Sequence, residues 1–384
     1  MRRVLIVTAI LVGCGGSLCA KATTPPGRSE LRRAFADYME RFVQEDGRVV
    51  DPVGGNITTS EGQSYAMTRA VWTNNRKSFD KTREWMRNNL QGGDPTALPS
   101  WKWGQKPDGS WGVLDPNPAT DADLFVAYAL ILGAERWNEP GMQTQALAIL
   151  DKVWETETAM VDGHRVLLPG PWAANKPVLR LNPSYSLPFA YRVFAKVDPE
   201  HDWTGFVADT YWMFEAVTND LGLQPDWIWM DASSGAVVPA PDGEPEQLGF
   251  GFESMRVPWT LAAEARWYDE PRAKALLKRY QSLRERYHRT GGIPAVIEPD
   301  GTAGREHTYL GLYGALLPAW GVTFPADAEM LYNDVIRPVR TASGWGQADD
   351  YYAHNWVWFG LALWSDKTGR GPTPIGRFEP KVSR

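Results

Sequence analysis

The sequence predicts an all-α protein, an (α/α)6 toroid of six inner and six outer helices with short β-hairpins in the loops. Two observations carry this. Helical patterns recur from residue 30 to residue 364, and they alternate strictly between two kinds. The stretches 30–44, 78–90, 143–157, 202–217, 271–288 and 326–339 are amphipathic, with one charged face each. Such a helix can stand with one side in water. The stretches 61–72, 121–134, 182–195, 253–267, 307–320 and 351–364 carry few charges and are apolar nearly all round. A helix of that kind must be covered on every side. Placing six covered helices inside six half-exposed ones closes a double ring of about this chain length. Between helices, "WIWMDASSGAVVPA" and "GGIPAVIEPDGTAG" pair apolar residues across Asp and Gly turn signals and read as short strands.

The ring gives meaning to one stretch in particular, "TTSEGQSYAM" at 58–67. Ser60 followed by Gln63 is a capping-box pattern, which sets Glu61 at the first helical position. A glutamate in a first helical turn ordinarily does no more than complement the helix dipole. Here every second helix is inner and each connection reverses direction, so the inner helices run parallel and start at one end of the ring. The polar residues that open them converge there: Ser60 and Glu61, Asp121 and Asp123, Asn182 to Tyr185, Glu253, Glu306 and His307, and Asp349 to Tyr352. The result is a cleft lined by carboxylates. Glycosidic bond cleavage needs one carboxyl that holds a proton and a second, ionised one. Glu61 needs burial and a nearby carboxylate, Asp121 or Asp123, to keep its proton against the pull of the helix dipole.

Composition narrows the alternatives. A net charge of −6 provides no basic field, so nucleic acid is not an expected partner. The five histidines, at 164, 201, 288, 307 and 354, stand singly without ligand spacing, so no metal or other cofactor is expected. There is no Gly-rich phosphate loop and no GxSxG nucleophile motif. The 19 tryptophans are the oddity, since many lie beside Gly, Pro, Asn and Asp in loops. Flat aromatic faces next to hydrogen-bonding groups suit sugar rings. Trp101, Trp103, Trp111, Trp172 and Trp227 are the candidate platforms, with Tyr351 and Tyr352 beside them.

Residues 1–22 read as an export signal, with Arg2 and Arg3 ahead of an apolar run too short to span a bilayer. Two readings of its end stay open. The stretch Leu11-Val12-Gly13-Cys14 looks like a lipobox that would lipidate Cys14, whereas Ala20-Lys21-Ala22 suits simple cleavage. Both cysteines, Cys14 and Cys19, fall in or just past this segment, so the mature domain is expected to lack thiol chemistry. Residues 23–368 form one catalytic domain, expected to be a monomer, and 369–384 are a basic Pro- and Gly-rich tail.

The motifs "ITTSEGQSYAM", "LPSWKWG", "ATDADLFVAYAL", "LLPG", "LNPSYSLP", "PDW", "FESMRVP" and "DDYYAHNWVWFGLALW" together resemble glycoside hydrolase family 8. The similarity is greatest to periplasmic endoglucanases that accompany bacterial cellulose synthases, and it runs in order from about Phe35 to Trp364. It implies the double-ring fold and an inverting cut of internal β-1,4 links in glucan, or in some members xylan or chitosan. A β-1,4-glucan partner and an association with a cellulose synthase complex follow from the same resemblance. By position, Glu61 matches the proton donor and Asp121 the central acid that holds the sugar. Tyr185 matches a tyrosine beside the attacking water, and Arg256 an arginine that accompanies the base. At the base itself the family's Asp is replaced by Glu253, one methylene longer, with Glu244 and Glu246 in reserve. That change also leaves open a glucan-binding protein without catalysis.

Overall fold

The computed structural model describes residues 27–246, 249–342 and 344–366. The expected export signal, Cys14, Cys19 and the basic tail lie outside these residues. The helices are α1 (Arg28–Phe42), α2 (Ser60–Thr73), α3 (Arg76–Asn89), α4 (Thr120–Trp137), α5 (Pro140–Thr156), α6 (Pro188–Phe194) and α7 (Trp203–Val217). They continue with α8 (Arg256–Trp267), α9 (Pro271–Arg279), α10 (Gln281–Thr290), α11 (Leu310–Thr323), α12 (Pro325–Leu331) and α13 (Tyr351–Trp364). The two expected kinds of helix separate by burial. Every residue of α2 but Glu61 is buried, as is all of α4 from Thr120 to Ala134. In α3 only Ser78, Phe79, Thr82, Trp85 and Met86 are buried, a single helical stripe. The inner positions are α2, α4, α6, α8, α11 and α13, each followed or preceded by a half-exposed partner, and the architecture is an (α/α)6 double ring.

Three helices differ from the periodic reading, and proline or a buried tyrosine accounts for each. The third inner stretch is broken by Pro183 and Pro188 into a 3-10 turn, Pro183–Tyr185, and the short α6. The outer stretch 271–288 divides at Tyr280, whose buried hydroxyl bonds Gln224. The stretch 326–339 is α-helical only to Leu331, then passes through a π turn and a 3-10 turn that holds Pro338. Glu306 and His307 do not open α11. They lie exposed in a strand that ends at Thr308.

Small antiparallel sheets fill the connections. β1 (Thr58–Thr59), β2 (Lys102–Gln105) and β3 (Trp111–Asp115) form one, with Thr58 opposite Trp103. β4 (Thr158–Val161) pairs with β5 (His164–Leu167). β6 (Val178–Leu181), β7 (Ile228–Asp231) and β8 (Val237–Val238) form a three-stranded sheet, and β9 (Pro294–Ile297) pairs with β10 (Ala303–Thr308). β11 (Arg340–Thr341) pairs with β12 (Gly344–Trp345). The two hairpins expected from turn signals are β7–β8 and β9–β10. Among the described residues no helix is long and apolar enough to cross a membrane.

The ring closes where α13 meets α2, α11 and α1. Arg69 of α2, with no exposed surface, donates from Nη1 to Asn355 Oδ1 of α13 at 2.8 Å. Its guanidinium lies 4.1 Å from the centre of the Tyr38 ring and 4.8 Å from that of Trp358. Trp358 in turn donates to the Leu31 carbonyl at 2.9 Å, fastening α1. Against α11 the backbones touch directly. A Cβ at Gly360 would stand 1.8 Å from the Gly314 carbonyl oxygen. Gly360→Ala should therefore lower stability by about 3 kcal/mol in chemical denaturation, because one backbone must shift. Gly141→Ala, in open space at the start of α5, should raise it by about 0.5 kcal/mol. Equal responses would show that the α11–α13 contact has slack.

Candidate active site

Arg256, the first residue of α8 and 5% exposed, gathers the inner-helix starts. Its Nη1 donates to Asp121 Oδ2 at 2.6 Å and to the Tyr65 hydroxyl at 3.3 Å. Nη2 donates to Ser184 Oγ at 2.7 Å and to Glu253 Oε2. Its guanidinium carbon also sits 5.2 Å from the centre of the Tyr185 ring. A cation at a helix N-terminus opposes the dipole, and two carboxylates offset that cost. One arginine thereby joins α2, α4, the 183–185 turn and the start of α8.

Glu61 is the second helical residue rather than the first, because Thr59 caps α2 by accepting from the Gly62 amide at 3.1 Å. Gln63 makes no reciprocal cap. Its side chain accepts from Val49 N at 2.6 Å and donates to the Thr82 carbonyl at 3.0 Å, tying the loop and α3 to the helix start. Glu61 keeps part of its surface open while its neighbours are buried. Its carboxyl is pushed up to about 8, first by burial and then by the charge of Asp121, against the opposite pull of Arg256. Asp121, 1% exposed, accepts from the Ala122 amide at 2.9 Å. Burial raises its pKa as well, and Arg256 counters.

Glu253 lies in the turn before α8 with its side chain 34% exposed. Oε2 accepts from Asn182 Nδ2 at 3.1 Å as well as from Arg256, and Oε1 has no protein partner among the described residues. A residue that sequence reasoning passed over holds this turn. Asp226 Oδ1 accepts from the amides of Gly251 (2.9 Å), Glu253 (3.2 Å) and Ser254 (2.8 Å), and from Ser254 Oγ (2.8 Å). Burial raises the Asp226 carboxyl to about 6 in spite of these donors. The signal was present, since Asp226 is the acid of the "PDW" motif. Tyr65, one turn after Glu61 on the same helix face, was legible in the same way.

The remaining candidates divide. Tyr185 is 9% exposed and meets the Trp227 ring edge to face at 5.9 Å. Tyr351 has its hydroxyl 3.4 Å from Thr59 Oγ1, beside the Glu61 turn. Tyr352 donates to the Phe252 carbonyl at 3.1 Å and so fixes the Glu253 loop from α13. Trp103 and Trp111 stack at 5.3 Å with Arg48 against both rings, at 4.6 and 4.7 Å. Trp111 at 48% and Trp172 at 39% offer open faces, while Trp101, Trp103 and Trp227 are half-buried. Six other tryptophans, Trp72, Trp203, Trp259, Trp320, Trp356 and Trp358, are fully buried core. One expectation is corrected. Asp123 has no exposed surface and faces Glu157, so it cannot line a cleft. Glu244 and Glu246 are exposed on the loop after β8.

Comparison with known proteins gives the class to which this double ring and its arginine-bridged acids belong, the glycoside hydrolases. The family model of glycosyl hydrolases family 8 matches residues 10–365, and the chain belongs to that family. It is 40% identical over 207 residues to an endoglucanase of Pseudomonas fluorescens (strain SBW25), spanning 52% of each chain. That is about half the relative's length. An endoglucanase of Escherichia coli (strain K12) is 28% identical over 331 residues, 85% of each chain. The crystal structure of endo-1,4-D-glucanase from Vibrio fischeri ES114 superposes with a TM-score of 0.74 at 28% identity, covering 87% of this chain and 94% of that one.

Asp226→Ala leaves the amides of Gly251, Glu253 and Ser254 without their acceptor and should cost about 3 kcal/mol of stability in urea denaturation. Asp226→Asn keeps an oxygen acceptor and should cost less than half as much. Equal losses would mean that charge, and not the acceptor, holds the turn.

Proposed function

We propose that the protein is an inverting endo-1,4-β-glucanase. The observation that carries the reading is the bridge through Arg256, which holds Asp121 and Glu253 in one cluster beside a Glu61 that keeps its proton near neutrality. Glu61 donates that proton to the departing glycosidic oxygen. Asp121, fixed by Arg256 and the Ala122 amide, holds the sugar at the point of cleavage. Glu253 draws the proton from a water molecule through Oε1, the oxygen left free when Oε2 is tied to Arg256 and Asn182. Water then enters on the face opposite the departing chain, which inverts the anomeric centre. Inversion requires the two carboxyls to stand roughly 6.5 to 9.5 Å apart, which leaves room for the longer Glu253 side chain. Tyr185 packs beside Arg256, and Trp103, Trp111 and Trp172 offer ring faces to glucose units.

The same proposal extends to the whole chain. Residues 1–22 direct export, with Cys14 lipidation or simple cleavage as its two endings, and 23–368 form the catalytic domain. The substrate is then a glucan outside the cytoplasm, and the resemblance to endoglucanases that accompany cellulose synthases supports a role in cellulose production. Mass spectrometry of the mature N-terminus separates the two endings: a lipid-bearing Cys14 supports the anchor, and a bare start near Thr23 excludes it.

Turnover of soluble cellulose, compared with xylan and chitosan, tests the chemistry. Glu61→Gln should reduce it by about 10² to 10⁴ with little change in oligosaccharide affinity. Wild-type activity should fall as the pH rises through about 8, because the donor must hold its proton. Glu253→Ala should abolish turnover and Glu253→Asp should retain it, with the α-anomer as the first product seen by NMR. A β-anomeric first product would overturn the inverting mechanism, and full activity in Glu253→Ala would remove Glu253 from it.

A further inference from the structure

Directly behind Asp121 lies a second pair of acids that the proposed chemistry does not use. Asp123, two residues along α4, and Glu157, the residue that ends α5, both have no exposed surface. All four of their carboxyl oxygens are buried, and among the described residues none has a hydrogen bond of ordinary geometry. The two carboxyls lie within hydrogen-bond reach of each other, and the Thr120 hydroxyl approaches Glu157 from the same turn of α4.

Among the described residues no cation pairs with either carboxyl. The ionisable groups that face the pair are Asp121 on its own helix and Glu61 on α2, both acids. Arg256, the cation of this region, is engaged by Asp121 and Glu253. Two ionised carboxylates in contact, away from water and without a counter-ion, cannot coexist. The backbone does not let them part. The Glu157 amide donates to the Val153 carbonyl at 2.8 Å, its own carbonyl accepts from Leu168 at 2.8 Å, and the Asp123 amide donates to the Ala119 carbonyl at 3.1 Å. Apart from the Thr120 hydroxyl beside Glu157, the donor left to each carboxyl is a proton on the other.

We propose that Asp123 and Glu157 are positioning residues, a proton-holding carboxyl pair that clamps the first turn of α4 to the end of α5 and so sets Asp121 in place. The assignment of Asp121 to catalysis rests on the glucanase reading; the pair itself does not. Burial, before any other cause, pushes the Glu157 carboxyl up to about 8 and holds that of Asp123 well above the usual carboxylate range. A carboxyl raised on folding stabilises the protein fully below its unfolded value near 4, and that stabilisation is lost as the pH climbs towards 8.

Two measurements on the full chain test this. Infrared difference spectra at pH 7 between wild type and the Asp123→Asn, Glu157→Gln double variant should contain a protonated-carboxyl stretch present only in the wild type. The melting temperature of wild type relative to that double variant should fall as the pH is raised from about 4.5 to 8. Absence of the stretch, or a difference independent of pH, would overturn the pair whether or not the protein cleaves glucan. Turnover tests the positioning. Glu157→Ala should lower kcat about tenfold or more with KM little changed, and Glu157→Gln should recover most of the loss. Equal kcat losses in both variants would overturn the clamp.

Discussion

Six helices without a polar face impose the constraint from which the rest of the molecule follows. Such a helix loses its hydrophobic stabilisation on whichever side meets water, so each must be enclosed by others. In one chain, with an amphipathic helix turning back after each, the arrangement that encloses all six is a closed ring. Closure then brings their N-terminal turns together, and the groups carried there are forced into each other's company. The concentration of acids at one end of this protein is thus a result of packing topology before it is a matter of chemistry.

Company of that kind has to be neutralised, and the protein does it in two different ways. At the front, the buried guanidinium of Arg256 bridges Asp121 and Glu253. Removing one member of such a bridge strands a charge in low dielectric, at a cost of about 3 to 5 kcal/mol. Behind, Asp123 and Glu157 face each other, and among the described residues no cation pairs with them. Glu61 stands between these regimes, raised by burial and by Asp121 yet close enough to Arg256 to be restrained. A carboxyl that titrates near neutral pH needs such opposed influences.

Much of this was legible in the order of residues. The alternation of helix kinds survives in the structure because burial on all sides leaves a compositional mark that no local rearrangement hides. The convergence of Glu61, Asp121, Tyr185 and Glu253 followed from that alternation, whereas Arg256 came from the family resemblance alone. What the pattern could not carry was anything set by one side chain meeting another far along the chain. Glu157 ends a charged outer helix and looks like a surface residue, yet it is wholly buried. Asp123 looks like a cleft residue for the same reason that Asp121 does, and only the rotation of α4 separates them. Arg69 reads as the polar exception on an apolar helix, whereas it occupies a cage of Phe35, Tyr38 and Trp358 rings that closes the ring. Proline positions gave fair warning of the break before α6, and periodicity alone overlooked them.

The short sheet at the start of α2 has a mechanical side. Thr58 of β1 pairs with Trp103 of β2, Thr59 caps α2, and the Ser60 amide donates to the Trp101 carbonyl at 3.0 Å. The stacked pair Trp103 and Trp111 and the Glu61 carboxyl are therefore separated by three residues of chain and by no flexible link. Under the proposed reading, the strand register is a ruler. A sugar ring seated on the tryptophans sets which linkage reaches the acid, and a slip of one residue between β1 and β2 would move the cut along the polymer.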